Sequence, residues 1–178
     1  QSKGYSLFTG FTLKWYRSLF TNASILHALW VSVEVAILSA IIATVLGTLA
    51  TLGINSMSRK SQLIINNISY VPVVNPEIIT GVPLMLLFVM AQNFGIGGES
   101  GIFGWPTLLI AHITFNIPYV IFNVGPKLRQ LDPSLYNAAL DRLHTGQAFT
   151  KVIMPQLSPA ILSAFLICLT YSIDDFMI

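Results

Sequence analysis

The chain has 178 residues, of which 54% are hydrophobic and 9% charged, with a net charge of +2. A soluble globular domain carries roughly 25% charged residues, and at a mean hydropathy of +0.72 too little charge remains to cover a water-facing surface. A soluble enzyme, a nucleic-acid binder and a disordered chain are excluded together, which leaves an integral membrane protein. The Lys and Arg residues are not gathered in one block, so no basic patch for nucleic acid forms.

Residues 1–28 are polar and aromatic, with Lys3, Lys14 and Arg17 among Phe8, Phe11, Trp15, Tyr16 and Phe20. They lack the apolar core of a signal peptide and do not start with Met. They are expected to lie as an amphipathic segment at the outer interface, and the chain to be an internal piece of something longer. A spanning helix needs about 20 mostly apolar residues. The apolar runs predict spans over 29–54, which tolerates Glu34, over 62–94, over 105–124 and over 160–178. The stretch from Gln62 to Val74 is either an interfacial helix or the start of that second span, broken near 72–76 at Pro72 and Pro76. The runs are continuous and do not alternate at period two, so helices are expected and a barrel is not. The fold class is all-α, a polytopic helical membrane protein. Lys and Arg set its orientation. Arg59, Lys60, Lys127, Arg129, Arg142 and Lys151 place loops 55–61 and 125–159 in the cytoplasm. The glycine-rich loop 93–104 has no Lys or Arg and falls outside, with the N-terminal segment.

Loop 125–159 reads GPKLRQLDPSLYNAALDRLHTGQAFTKVIMPQLSP. Asp132 followed by Pro133 is a helix start, because Asp accepts from free N–H groups and Pro suits the first turn. Leu135, Ala138, Ala139 and Arg142 recur at helical spacing and predict a short helix with a small, flat face, stopped at Gly146. A second amphipathic segment with Phe149, Val152 and Ile153 ends at Pro155 and Pro159. Such an element either docks another surface or packs on its own bundle.

Charges inside apolar runs are expensive and face a cavity or a partner. Asp174 and Asp175 stand about 22–24 Å along a helix from Pro159, in the outer half of the membrane. They either line a path for a cation or form an interfacial or salt-bridged pair. Glu77, beside Pro76, either faces that path or fixes the break by accepting local N–H bonds. Glu34 is an interface residue or a substrate contact. His112, Thr114 and Asn116 form a polar stripe suited to interhelical hydrogen bonds. Tyr70, Tyr119 and Tyr171 offer faces to an ammonium group or pack in the core. His27, His112 and His144 do not stand at metal-ligand spacing with a carboxylate or thiolate, so no metal site is expected. One cysteine, Cys168, allows no intrachain disulfide. GIGGES lacks the Lys-Ser/Thr ending of a phosphate-binding loop, and no Ser-His-Asp or Cys-His set is spaced for catalysis. The chain is expected not to be an enzyme, and any ATP driving it is hydrolysed on another chain.

Residues 136–159 resemble the Glu-Ala-Ala ("EAA") loop of ABC importer permeases. Ala138 and Ala139, Phe149, Val152 and Ile153, Met154 and Pro155, and Pro159 match that pattern. Asn137 stands where Glu is usual, Leu143 aligns with the family Gly, and the segment RLHTG is one residue short, with Gly146 taking over the turn. FTLKWYRSLF, VPVVNPEIITGVPLMLLF and LTYSIDDFMI resemble the second permease subunit of spermidine/putrescine importers. The resemblance implies an ABC importer type-1 transmembrane domain over 29–178, lacking the first and last spans, in the bacterial inner membrane. It implies a sister permease subunit, two ATP-binding subunits and a periplasmic substrate-binding protein. It also implies no cofactor on this chain, with ATP bound on a partner. Alternating access would be coupled through 132–155, with Asn137, Ala138, Ala139, Leu143, Gly146 and Pro155 at the ATPase. Asp174, Asp175, Glu77 and Glu34 would serve the substrate path. The departures at Asn137 and Leu143 predict weakened coupling. The alternatives are a permease for another solute, such as iron, or a channel or ion-coupled transporter. The latter leaves the pattern from Ala138 to Pro159 unexplained.

Overall fold

The computed structural model describes residues 13–74, 77–95, 101, 103–132, 134 and 144–174. The elements are α1 (Lys14–Thr21), α2 (Ala23–Asn55), α3 (Arg59–Val74), α4 (Glu77–Asn93), α5 (Trp105–Arg129), α6 (Thr145–Ala148), a π-helical turn (Phe149–Ile153) and α7 (Met154–Asp174). Residues 1–34 and 35–178 form two compact units.

In the first unit, Asn22 separates α1 from α2. Its backbone is extended, and its Oδ1 accepts from the N–H of Ser24 at 3.0 Å. This cap starts α2 at Ala23, earlier than the predicted 29, because two orphan helix donors find the Asn22 oxygen instead of lipid or water.

In the second unit, α2 inverts the pattern of a soluble amphipathic helix. Ala36, Ala40, Ala43, Gly47 and Thr51 are buried, whereas Ile37, Ile41, Val45 and Leu49 are exposed. Small residues inside let backbones approach, and large apolar ones outside suit lipid. A Cβ on Gly47 would stand 2.6 Å from Val120 Cβ and 3.3 Å from the Ile117 carbonyl oxygen, so α2 and α5 meet backbone to side chain there. Ala40, Val120, Val124, Ile153, Leu157, Ala164 and Cys168 complete the core that α2, α5 and α7 share.

Among the described residues, three helical stretches are long and apolar enough to cross a membrane: Ala23–Asn55, Trp105–Arg129 and Gly146–Asp174. The pair α3 and α4 makes a fourth if counted as one span bent by 102°. Tyr70 of α3 packs on Phe122 of α5 at 5.0 Å between ring centroids. Between α4 and α5 lies an apolar cleft of about 430 Å³, lined by Met85, Phe88, Phe103, Thr107 and Ala111 among others.

Helix limits differ from the predicted ones at prolines. The third span does not stop at 124. Pro126 removes one donor on an exposed face, and the helix runs to Arg129, where the Gln130 N–H bonds the Pro126 and Lys127 carbonyls. The fourth does not start at 160 but runs helically from Thr145, so the connection predicted over 125–159 contracts to 130–144. The reason is local repair. Pro159 frees the Pro155 carbonyl, and Ser158 Oγ donates to it at 2.8 Å. Upstream of Pro155, the π-helical turn widens the helix, and the Met154 N–H reaches back to the Phe149 carbonyl. Pro159 is tolerated because a neighbouring hydroxyl re-satisfies the backbone, and Pro155 sits in the first turn of α7 directly after the π-helical turn.

The Gly47 contact generates a test. Gly47→Ala forces a Cβ against Val120 Cβ, and is expected to lower stability by about 1–3 kcal/mol, the cost of overpacking a core. Gly53, with nothing within 4 Å of its Cβ position, is the control, and Gly53→Ala is expected to be neutral or stabilising by up to about 1 kcal/mol. Thermal unfolding in nanodiscs checks both.

Candidate functional site

The bundle has a basic end and an opposite end. At the basic end α2 finishes, α3 begins and α5 finishes. Thr51, Asn55, Gln62, Asn66 and Arg129 line one small crevice there together with Ile54, Ile121 and Leu128. The Gln62 amide donates to the Asn55 and Met57 carbonyls at 3.1 and 2.9 Å, closing the end of α2. Arg59 and Lys60 open α3, and Lys127 and Arg129 occupy the last turn of α5, where a cation complements the helix dipole. Asp132 follows. The Ser134 N–H donates to its Oδ1 at 2.8 Å, and the Ser134 backbone and hydroxyl bonds hold its carboxyl below the ordinary value of 3.8.

At the opposite end a hydrogen-bonded chain crosses the core. Ser39 Oγ on α2 lies 2.9 Å from Ser172 Oγ on α7. Ser172 Oγ lies 2.6 Å from His112 Nδ1 on α5. All three residues are buried. One turn inward, the Cys168 thiol donates to the Asn116 carbonyl at 3.7 Å. Tyr171 stacks on Tyr119 at 4.6 Å and 27°, and Asp174 stands one turn beyond Tyr171, exposed, at the end of α7.

Measured against the sequence, the polar stripe on α5 divides. His112 and Asn116 are four residues apart and buried, whereas Thr114 is exposed and its hydroxyl donates within its own helix to the Ile110 carbonyl at 2.8 Å. A helix repeats every 3.6 residues, so positions 112, 114 and 116 cannot share one face. Tyr119 and Tyr171 contact each other, and Tyr70 pairs with Phe122 instead.

Among the coupling residues, Gly146 does not stop a helix. It lies within α6, exposed, with nothing within 4 Å of its Cβ position. Pro155 sits in the first turn of α7. Gly146 and Pro155 therefore share with Asp174 one continuous helical stretch. Asn137, Ala138, Ala139 and Leu143 lie outside the described residues, as does Asp175. Glu77 is the first residue of α4, and its side chain also lies outside what is described. Glu34 is exposed on α2. No group of three or more His, Cys, Asp or Glu residues able to hold a metal ion occurs among the described residues.

Sequence reasoning missed Ser39 and Ser172. Their signal was position: Ser39 continues the small-residue face of Ala36, Ala40 and Ala43, and Ser172 follows Ala164 and Cys168 at helical steps of four. A small polar residue on such a face is a hydrogen-bonding position between spans.

Long helices with small and polar residues inside and large apolar ones outside define a polytopic α-helical membrane protein. Residues 43–178 match the family described as binding-protein-dependent transport system inner membrane component. The chain belongs to this family. It is 32% identical over 99% of its length to the putrescine transport system permease protein PotI of Escherichia coli K12, and spans 63% of that protein. It is 31% identical over 95% of its length to the spermidine/putrescine transport system permease protein PotC of the same organism, and spans 61% of it. A PotC homolog of Mycoplasma genitalium is 32% identical over 83% of the chain and 47% of its own length.

The Asp132 cap predicts a pH dependence. Its folded pKa is lowered below 3.8, so its contribution is complete above that value and is lost as pH falls through the folded pKa. Asp132→Ala is therefore expected to speed amide exchange at Ser134 at pH 7, with the difference closing under strong acid. Hydrogen exchange across that range, corrected for the intrinsic rate, checks it.

Proposed function

We propose that the chain is the membrane-spanning permease part of an ATP-driven ABC importer for polyamines. The observation that carries this reading is its 32% identity to the putrescine permease PotI over 99% of the chain. The basic end faces the cytoplasm by the distribution of Arg59, Lys60, Lys127, Arg129 and Lys151. Asp174 then stands toward the outside, with Asp175 next in the chain. A carboxylate pair there attracts a substrate carrying spaced ammonium groups and repels anions. Glu77 and Glu34 are further members of this path. The chain works with a sister permease, two ATP-binding subunits and a periplasmic binding protein, and ATP is bound and hydrolysed on the partner.

Coupling follows from the continuous stretch Gly146–Asp174. Its 29 residues span about 44 Å at 1.5 Å per residue. A push on the loop that carries Asn137, Ala138, Ala139 and Leu143 enters this rod at Gly146 and Pro155, and is carried to the end that bears Asp174. A rigid element with both sites on it satisfies the physical requirement for coupling between them.

The test is uptake of labelled spermidine by the full-length protein with its partner subunits, in a host lacking its own polyamine importers. Uptake is expected to depend on ATP and to fall about tenfold or more in Asp175→Ala and Asp174→Ala, the scale of one lost charge contact. Uptake that survives both substitutions overturns the acidic path. Absence of uptake by an assembled complex overturns the polyamine assignment and points to another solute such as iron. Asn137→Glu with one residue inserted before Gly146 is expected to raise substrate-stimulated ATP hydrolysis, and no rise counts against weakened coupling.

A further inference from the structure

We propose that His112 is a positioning residue for the cation path: through the Ser172 hydroxyl it fixes the last turn of α7, on which Asp174 stands. The inference rests on the reading of this chain as a cation permease, and deepens it by naming what holds the carboxylate in place.

Three observations carry it. His112 Nδ1 and Ser172 Oγ are 2.6 Å apart, and Ser172 Oγ and Ser39 Oγ 2.9 Å, so one hydroxyl on α7 is held from α5 and α2 at once. His112, Ser172 and Ser39 are buried, while Asp174, two residues on, is exposed. A helix end frays unless something ties it down; here the last apolar side chain before it, Ile173, is itself exposed. Beyond the stack of Tyr171 on Tyr119, the Ser172 bonds hold this turn from within.

The chain of bonds also accounts for its protons. With His112 protonated on Nδ1, that N–H donates to Ser172 Oγ, the Ser172 hydroxyl donates to Ser39 Oγ, and the Ser39 hydroxyl donates to the Ala36 carbonyl at 3.1 Å. With Nδ1 bare, Ser39 donates to Ser172 and Ser172 donates to Nδ1. The second arrangement takes the Ser39 hydroxyl away from the Ala36 carbonyl, but the His112–Ser172 and Ser172–Ser39 bonds are kept in both, so the contact survives both tautomers of the ring. A leucine or phenylalanine at 112 fills space but leaves Ser172 with one partner. An asparagine places a polar atom near the Nδ1 position and restores the bond.

The experiment compares His112→Leu, His112→Asn and Ser172→Ala in the full complex, by spermidine uptake and by hydrogen exchange in nanodiscs. His112→Leu is expected to raise the half-saturation concentration about fivefold, the scale of one interhelical hydrogen bond, with a much smaller change in maximal rate. His112→Asn is expected to return it to within about twofold of wild type. Ser172→Ala is expected to match His112→Leu, and the double variant to add nothing further. In parallel, amide exchange at residues 171–174 speeds up in His112→Leu and Ser172→Ala but not in His112→Asn. An unchanged half-saturation concentration overturns the proposal, as does equal damage from Leu and Asn. If His112→Leu does not assemble, Ser172→Ala and His112→Asn decide alone. If the wild-type complex takes up no polyamine, the polyamine reading fails by itself. Exchange at 171–174 then decides the latch, and unchanged exchange overturns it.

Discussion

The approach of α2 to α5 at Gly47 sets the spacing on which the spanning core depends. In a membrane, apolar side chains gain nothing by leaving lipid for one another, so helices associate through close packing and hydrogen bonds. Gly47 provides the closeness, since a Cβ there would fall 2.6 Å from Val120 Cβ. With the backbones this near, residues as short as Ser39 and Ser172 reach across and complete a three-helix bond with His112. A wider spacing would leave the buried Ser172 hydroxyl without the partners it has here, at a cost of several kcal/mol, and Ser39 with its own-helix bond to Ala36 alone.

The same constraint explains the prolines. A helix interior loses about 3 kcal/mol or more to a proline in water, and the apolar runs here carry several. Two cases show how: Ser158 donates to the carbonyl that Pro159 leaves free, and Pro126 lies on an exposed face. The outcome is a helical stretch from Thr145 to Asp174 where turns were expected. The coupling proposed for this stretch depends on that continuity, because a hinge at Pro155 or Pro159 would absorb motion instead of passing it on.

Basic residues gather at one end of the bundle, with Asp132 beside them. Arg59, Lys60, Lys127, Arg129 and Lys151 lie toward one end, and Asp174 lies at the other. In the proposed importer, this separation sets the orientation in the membrane and gives a cation its approach from the acidic end. Family membership, the relatives' polyamine names and this polarity point the same way, although each rests on different residues. The family match spans 43–178, and the relatives' identity extends over the N-terminal segment as well.

By itself the sequence determined the class, the approximate spans and the family. Apolar run length, the scarcity of charge and the loop pattern from Ala138 to Pro159 are properties of consecutive residues, and consecutive residues are what a sequence displays. It also marked Asp174, Asp175 and Glu77 as anomalous, since an ionised side chain in an apolar run is costly wherever it points. The tertiary structure decided which polar residues meet. Ser172 and His112 are 60 positions apart, and Ser39 and Ser172 are 133 apart. Only the packing of α2, α5 and α7 brings them within hydrogen-bond reach, and the same packing turns Thr114 outward while its neighbours in the stripe stay buried. Helix ends at prolines were likewise decided in three dimensions, because whether a freed carbonyl finds another donor depends on side-chain geometry that residue order does not contain.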